Sequence, residues 1–304
     1  MDDSEQAFLE WLRGQDRSAE SVPIGIGDDC AAVRVGDQDL LITTDMLLDG
    51  VHFDSGEHTP EQIGRKALAC SLSDLAAMAA RPVAAVAAAA LTTGRGIEFA
   101  QRMFVGMAEI AERFGCPIVG GDTTSWSQPT AVTVTMLGRC PAGRPPVRRC
   151  GATPGDTIYV TGPLGGSLLG RHLTFEPRIE LADLLADRCD LHAMIDISDG
   201  LAIDLSRVCQ ASGVGAALDE LLLEAVISDD ARALSATDGV APLQHALADG
   251  EDFELLVVMP ALPPDDDLLT DVKPIGQVTP AHLRLRHKDG TETPLEPAGY
   301  DHRL

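Results

Sequence analysis

A two-domain α/β protein is predicted, on three observations. Compact apolar runs of strand length alternate with amphipathic stretches of helical spacing along the 304 residues. A proline- and glycine-rich break, Cys140-Pro-Ala-Gly-Arg-Pro-Pro, separates residues 1–141 from residues 142–304. Both parts carry a loose pattern of strand, acidic turn and helix, without a sequence repeat.

The elements follow in order. Residues 5–13 place Phe8, Leu9 and Leu12 at helical spacing. Residues 40–44 form a compact strand running into Asp45. Residues 60–80 carry Ile63, Ala67, Leu68, Leu72, Leu75 and Met78 at helical spacing, with Ser71 and Asp74 on one face and Pro82 as the stop. Residues 83–91 are an alanine-rich strand, and residues 98–114 a second amphipathic helix closed by Gly115. Ile118-Val119 leads into a turn at Gly120-Gly121-Asp122, and residues 131–138 alternate as a strand. Beyond the break, residues 157–161 are a strand feeding the glycine loop at 162–166. Residues 195–199 form a turn opening a helix near Leu201, and residues 248–254 introduce a strand at 255–259.

Composition narrows the function. Hydrophobic residues make up 45%, the share of an ordinary globular chain. The net charge of −24, without a basic block, argues against nucleic acid or an anionic membrane as partner. Most of the acidity reads as solvated surface, with a minority of the acids in a site. Seven cysteines lie scattered without a C-x-x-C pair, as expected for reduced, mostly buried thiols in a cytoplasm. Met1-Asp2-Asp3-Ser4 lacks the basic start and apolar stretch of a secretory leader, and the longest apolar run, residues 83–91, is too short to span a bilayer.

The chemistry is carried by acidic motifs: Gly27-Asp28-Asp29, Thr43-Thr44-Asp45, Ser73-Asp74, Gly120-Gly121-Asp122 and Asp196-Ile197-Ser198-Asp199-Gly200. Each is expected at the end of an apolar run, where a strand or helix meets a turn. Carboxylates gathered from distant points repel one another unless cations neutralise them, and hard oxygen donors suit magnesium bound with substrate phosphates. The chain therefore reads as a magnesium–nucleotide enzyme. Taken singly, the motifs stay ambiguous. The Gly-Asp-Asp segment is either a tight turn or a close approach to phosphate or metal with Asp29 pointing inward. Thr43-Thr44-Asp45 is either a cap or a second cation site. Asp74 lies among apolar neighbours on its helix, where a carboxylate needs a partner; a metal is favoured over Lys66, two turns away. Asp199 either caps the following helix or binds metal. The glycine loop at 162–166 lacks the Lys-Ser/Thr of a phosphate-binding P-loop and is either a phosphate cradle or a structural turn. His52 lies near enough to Asp45 to meet an anionic substrate. No Ser-His-Asp order or zinc spacing emerges.

The ensemble resembles the thiamine-monophosphate kinases, within the superfamily of aminoimidazole ribonucleotide synthetase. The matching stretches are Gly25-Ile-Gly-Asp-Asp-Cys-Ala, Thr44-Asp-Met-Leu-Leu-Asp-Gly-Val-His-Phe, Lys66-Ala-Leu-Ala-Cys-Ser-Leu-Ser-Asp-Leu-Ala-Ala-Met and Gly120-Gly-Asp-Thr-Thr. Further on come Gly155-Asp-Thr-Ile-Tyr-Val-Thr-Gly, Ile195-Asp-Ile-Ser-Asp-Gly-Leu, Gly250-Glu-Asp-Phe-Glu-Leu and Gly299-Tyr-Asp. The resemblance implies an N-terminal sheet domain that forms a homodimer and a C-terminal α/β domain closing over ATP. It implies transfer of the γ-phosphoryl of ATP to thiamine monophosphate, with several magnesium ions and no general base. Carried over by motif, Asp29, Thr43, Thr44, Asp45, Asp74, Asp122, Asp196 and Asp199 are magnesium ligands. Gly121, Asp122, Arg149 and Ser198 lie near ATP, and His52 and Glu251 meet the thiamine phosphate. Two departures stand out. The segment between Gly170 and Pro177 is short for the family, and Pro297 falls where an aromatic usually meets the thiamine ring, with Tyr300 close by. The competing readings are another ATP-dependent enzyme of the superfamily, such as an aminoimidazole ribonucleotide synthetase, and a silent nucleotide-binding regulator.

Overall fold

The structure, a computed structural model, describes residues 5–15 and 19–302; the start at residues 1–4 lies outside them. The first part opens with α1 (Glu5–Gln15), followed by β1 (Ala31–Val35), β2 (Gln38–Leu48), α2 (Pro60–Ala77), β3 (Arg81–Thr92), α3 (Gly96–Arg113), β4 (Ile118–Trp126) and β5 (Ala131–Arg139). Its five strands form one sheet in the order β1-β2-β5-β3-β4, antiparallel except for the β3–β4 pair.

The second part holds β6 (Thr157–Val160), α4 (Ile179–Arg188), β7 (Ala193–Asp196), α5 (Leu201–Ser212), β8 (Gly215–Asp219) and α6 (Glu220–Leu223). It continues with α7 (Asp229–Asp238), α8 (Pro242–Ala248), β9 (Leu255–Met259), β10 (Lys273–Thr279), β11 (Leu283–Arg286) and β12 (Glu292–Pro294). These seven strands form a second sheet in the order β12-β11-β8-β10-β6-β9-β7. No described helix is long and apolar enough to cross a membrane.

The period-2 alternation of strands explains how two cores are built from one sheet. Leu255, Val257 and Met259 of β9, Tyr159 of β6 and Met194 of β7 face a core shared with α2 and the first sheet. Leu256 and Val258, Ile158 and Val160, and Ala193 and Ile195 face a second core against α5. A strand buried on both faces needs apolar residues at every position, which is why Leu255–Met259 reads as an unbroken apolar run. α2 is apolar around most of its circumference for the same reason. It packs on α3, on β2 and β5 of its own sheet, and on β7 and α4 of the second part.

Several boundaries differ from expectation, each for a physical reason. α2 starts with a capping box, in which Thr59 and Gln62 satisfy each other's backbone N–H. It ends at Ala77 rather than at Pro82: the Met78 N–H turns back to the Leu75 carbonyl and Ala79 adopts a left-handed φ of 51°. Pro82 instead lies within β3, beside a register shift against β5 where a missing N–H is tolerated. β2 runs on through Asp45 to Leu48 because β5 pairs with it along that length. β4 likewise runs through Gly120-Gly121-Asp122, which are strand residues paired with β3 and not a turn. The break at 140–146 is tied down by Arg144, which donates to the carbonyls of Ala79 and Asp183 (both 3.2 Å) and to the Asp187 carboxylate. Cys30, Cys70, Cys116 and Cys209 are buried, the other three cysteines half-buried, and all seven are free thiols.

Candidate active site

Three carboxylates from three parts of the chain converge. Asp29 follows the turn before β1, Asp74 lies on α2, and Asp196 ends β7. One oxygen from each lies within 4.8 Å of the others. Every member is held by a neighbour chosen by the local fold. Ser73, one residue before Asp74, donates to Asp196 Oδ2 at 2.7 Å and so links α2 to the second sheet. The Thr43 hydroxyl donates to Asp74, and Ser71 donates to Asp45 Oδ2 at 2.6 Å. Arg149 Nη2 donates to Asp29 Oδ1 at 2.8 Å, while the other Asp29 oxygen is buried without a partner. Beside it, Asp28 accepts from Arg148 Nε (2.8 Å) and from the Arg149 N–H (2.9 Å).

This concentration of negative charge raises the proton affinity of its members. Burial pushes up Asp74 well above the usual carboxylate range, and the charges of Asp45, Asp196 and Asp29 add to it. Asp196 is raised well by burial and then by Asp29, and Asp29 by burial against the opposing pull of Arg149. Asp45 is pushed up to about 6, again by burial. Arg149 is held firmly charged: burial works against it, but Asp29 outweighs that cost. A set of hard oxygens with an unpartnered buried atom and a shared proton excess fits a divalent cation.

Asp45 also borders a cavity of about 200 Å³, whose walls include His52, Ser198, Asp199, Glu251 and Tyr300. The Leu48 N–H donates to His52 Nδ1 at 3.0 Å, so the ring proton resides on Nε2. Burial, reinforced by the charge of Lys66, lowers His52 to about 4, and the ring is neutral at physiological pH. Its approach to an anion is thus by hydrogen bond and not by charge. Lys66 is fully buried and pairs with the Glu251 carboxylate, not with Asp74. Tyr300 reaches the cavity because its N–H bonds the Asp199 carbonyl at 2.9 Å, and its ring meets His302 edge-on at 4.8 Å.

Other expected residues are placed elsewhere. Thr44 falls on the opposite face of β2 from Thr43 and Asp45, where its hydroxyl meets that of Thr135 at 2.9 Å. Gly121 and Asp122 are exposed on β4 and stand outside the three-carboxylate cluster. Gly121 is explained by packing: a Cβ there would sit 1.8 Å from the Ala87 carbonyl oxygen. Pro297 is exposed and borders no part of the cavity. The glycine loop at 162–166 is a structural turn, since the N–H groups of Gly165 and Gly166 already donate to Asp252 and Asp249. Asp199 does not cap α5 with its side chain. Asp204 takes that part, accepting from the N–H groups of Asp199 and Gly200 at 3.1 Å each. Arg207 then bridges Asp204 and Asp199, at 2.6 Å to both.

The family models of AIR synthase related proteins match residues 27–140 (N-terminal domain) and 164–288 (C-terminal domain). A thiamine-monophosphate kinase from Rhodopirellula baltica is 44% identical over 261 residues, covering 83% of this chain and 81% of that protein. The chain belongs to the thiamine-monophosphate kinase family. A family member from Escherichia coli is 36% identical, with 92% of each chain covered. The solved structure of AaThiL complexed with AMPPCP and TMP superposes with a TM-score of 0.84 at 28% identity, covering 98% of this chain and 97% of that one.

Within a thiamine-monophosphate kinase fold, the residues that sequence reasoning missed are those that hold others in place. The sequence offers Lys66 only as a partner for Asp74, and gives Asp204 and Arg207 no visible role, because their partners are distant or set by a turn. Asp204 and Arg207 did leave a signal: they are the two charged residues of a largely apolar helix and stand one turn apart.

Proposed function

We propose that this chain is an ATP-dependent kinase that phosphorylates thiamine monophosphate to thiamine diphosphate. The observation that carries the reading is the convergence of Asp29, Asp74 and Asp196, one oxygen unpartnered, next to a cavity that Asp45 shares. Asp29, Asp74 and Asp196, with Asp45, Thr43 and Asp199 alongside, would hold magnesium ions, which neutralise the phosphates of donor and acceptor and align them. Arg149, which holds Asp29, and Ser198, on the cavity wall beside Asp199, are assigned to the nucleotide, as is Asp122, exposed on β4.

The acceptor phosphate is already ionised at neutral pH, so no side chain need remove a proton. His52 donates through Nε2 to the phosphate, and the Tyr300 ring offers a face to the thiamine rings. We assign residues 1–141 and 142–304 to two domains, with the cavity drawing residues from both. The outer face of the first sheet exposes Val86, Val119 and Trp126, which fits association with a second copy as a homodimer. A cytoplasmic location agrees with seven free thiols.

The deciding assay is incubation with ATP, magnesium and thiamine monophosphate, all saturating, and chromatographic detection of thiamine diphosphate. No product under those conditions overturns the reading. A second expectation concerns the ring end of the substrate. Tyr300→Ala should raise KM for thiamine monophosphate by about threefold to tenfold with kcat little changed, the value of one aromatic contact remote from the reacting phosphates. Pro297→Ala should leave KM unaltered, and the reverse pattern would return the ring contact to Pro297.

A further inference from the structure

Lys66 hydrogen-bonds both His52 and Glu251, two substrate-side residues of the cavity. It sits on α2 in the first part of the chain and is fully buried. Its ammonium donates to the His52 carbonyl oxygen at 2.5 Å and to the Glu251 carboxylate, which belongs to the second part. A buried ammonium is costly unless it is paired and hydrogen-bonded, and here both acceptors belong to the wall of one cavity.

The Glu251 segment needs such a hold. Glu251 and Phe253 both adopt left-handed φ angles, 56° and 51°, which non-glycine residues rarely occupy. Strain of that kind persists only where surroundings over-determine it. The backbone is fixed by two bonds, from the Glu251 N–H to the Ser198 carbonyl (2.6 Å) and from the Phe253 N–H to the Ile197 carbonyl (2.8 Å). Burial, with a smaller contribution from the charges of Asp199 and Asp45, disfavours the ionised Glu251 carboxylate. Lys66 supplies the opposing attraction.

We infer that Lys66 is a positioning residue for the acceptor, holding Glu251 and His52 in register from opposite parts of the chain. The inference rests on the cavity being the thiamine monophosphate site. Removing the ammonium frees the Glu251 carboxylate to swing from its repelling neighbours and loosens the 48–53 turn, so the acceptor loses its wall while the carboxylate cluster at Asp29, Asp74 and Asp196 keeps its own bonds.

The test is steady-state kinetics of Lys66→Met, Glu251→Gln and the double variant, with titration calorimetry of thiamine monophosphate as a second readout. Lys66→Met is expected to raise KM and Kd for thiamine monophosphate about tenfold or more, with KM for ATP and kcat changed less than about threefold. In the Glu251→Gln background, Lys66→Met should add less than about twofold, since the two act as one unit. Lys66→Arg, which keeps the charge but not the fit, covers the case in which Lys66→Met does not fold; it should show the same selective rise in KM with an unchanged circular dichroism spectrum. A lowered melting temperature with unchanged KM for thiamine monophosphate, equal rises for both substrates, or full additivity in the double variant would each overturn the positioning role. An active wild type with any of those results sinks this inference alone, whereas an inactive wild type sinks the kinase reading with it.

Discussion

Asp74→Asn is expected to lower turnover by about a hundredfold or more, because it removes a negative ligand from the cluster that must offset repulsion between two phosphates. The same substitution should stabilise the metal-free protein. The amide keeps the shape of the carboxylate and can still accept from the Thr43 hydroxyl, but it no longer repels Asp45, Asp196 and Asp29. The sign with pH follows from proton binding. Asp45 is raised from 3.8 to about 6, and Asp29, Asp74 and Asp196 are raised as well, so the folded chain keeps protons that the unfolded chain has released. Where the native state binds more protons, stability falls as pH rises. For these groups the loss begins near the unfolded pKa of 3.8 and, for Asp45, is complete above about 6. Urea unfolding of metal-free wild type and variant across that range should show a shallower fall in the variant. Near-wild-type turnover in Asp74→Asn, or lower stability at neutral pH, would refute the role of Asp74 as a metal ligand. Activity and stability moving in opposite directions is the mark of a site held against its own repulsion.

Much of the fold was legible because burial imposes periodicity. The helical spacing of Ile63, Ala67, Leu68, Leu72 and Leu75 located α2, and the apolar run at residues 255–259 located β9. What escaped were ends set by pairing with distant partners. Nothing local to Asp45 or Asp122 says that a strand continues, because the partners are β5 and β3. The acidic motifs likewise gave the residue types of the cluster, yet two-residue periodicity decides that Thr43 and Asp45 share a face while Thr44 turns away. A motif read as consecutive letters hides that distinction. Long-range bonds were the least visible. Lys66 and Glu251 stand 185 positions apart, and only the docking of α2 against the second part brings them together.

That docking depends on α2 being held in place from behind, where it meets α3 through glycine on both helices. A Cβ on Gly106 would lie 1.9 Å from the Glu61 carbonyl oxygen, and one on Gly64 would lie 1.9 Å from the Met103 carbonyl oxygen. Both obstacles are backbone atoms, so no rotamer change relieves them and the helices must separate. Gly106→Val is therefore expected to cost about 3 kcal/mol or more, the upper range for overpacking. In a chain of 304 residues that corresponds to a melting temperature lower by about 5 °C or more. The displacement also reaches the cavity, because Glu61 and Gly64 lie within about one and a half turns of Lys66 on the same helix. KM for thiamine monophosphate should rise with the fall in melting temperature, and Gly106→Ala should be intermediate in both. The combination sets this variant apart from Asp74→Asn, which is expected to melt higher without metal and to lose kcat. A Gly106→Val protein that melts within a degree or so of wild type would show that α3 can move off α2 at little cost, and the close glycine contact would then carry no weight in placing Lys66.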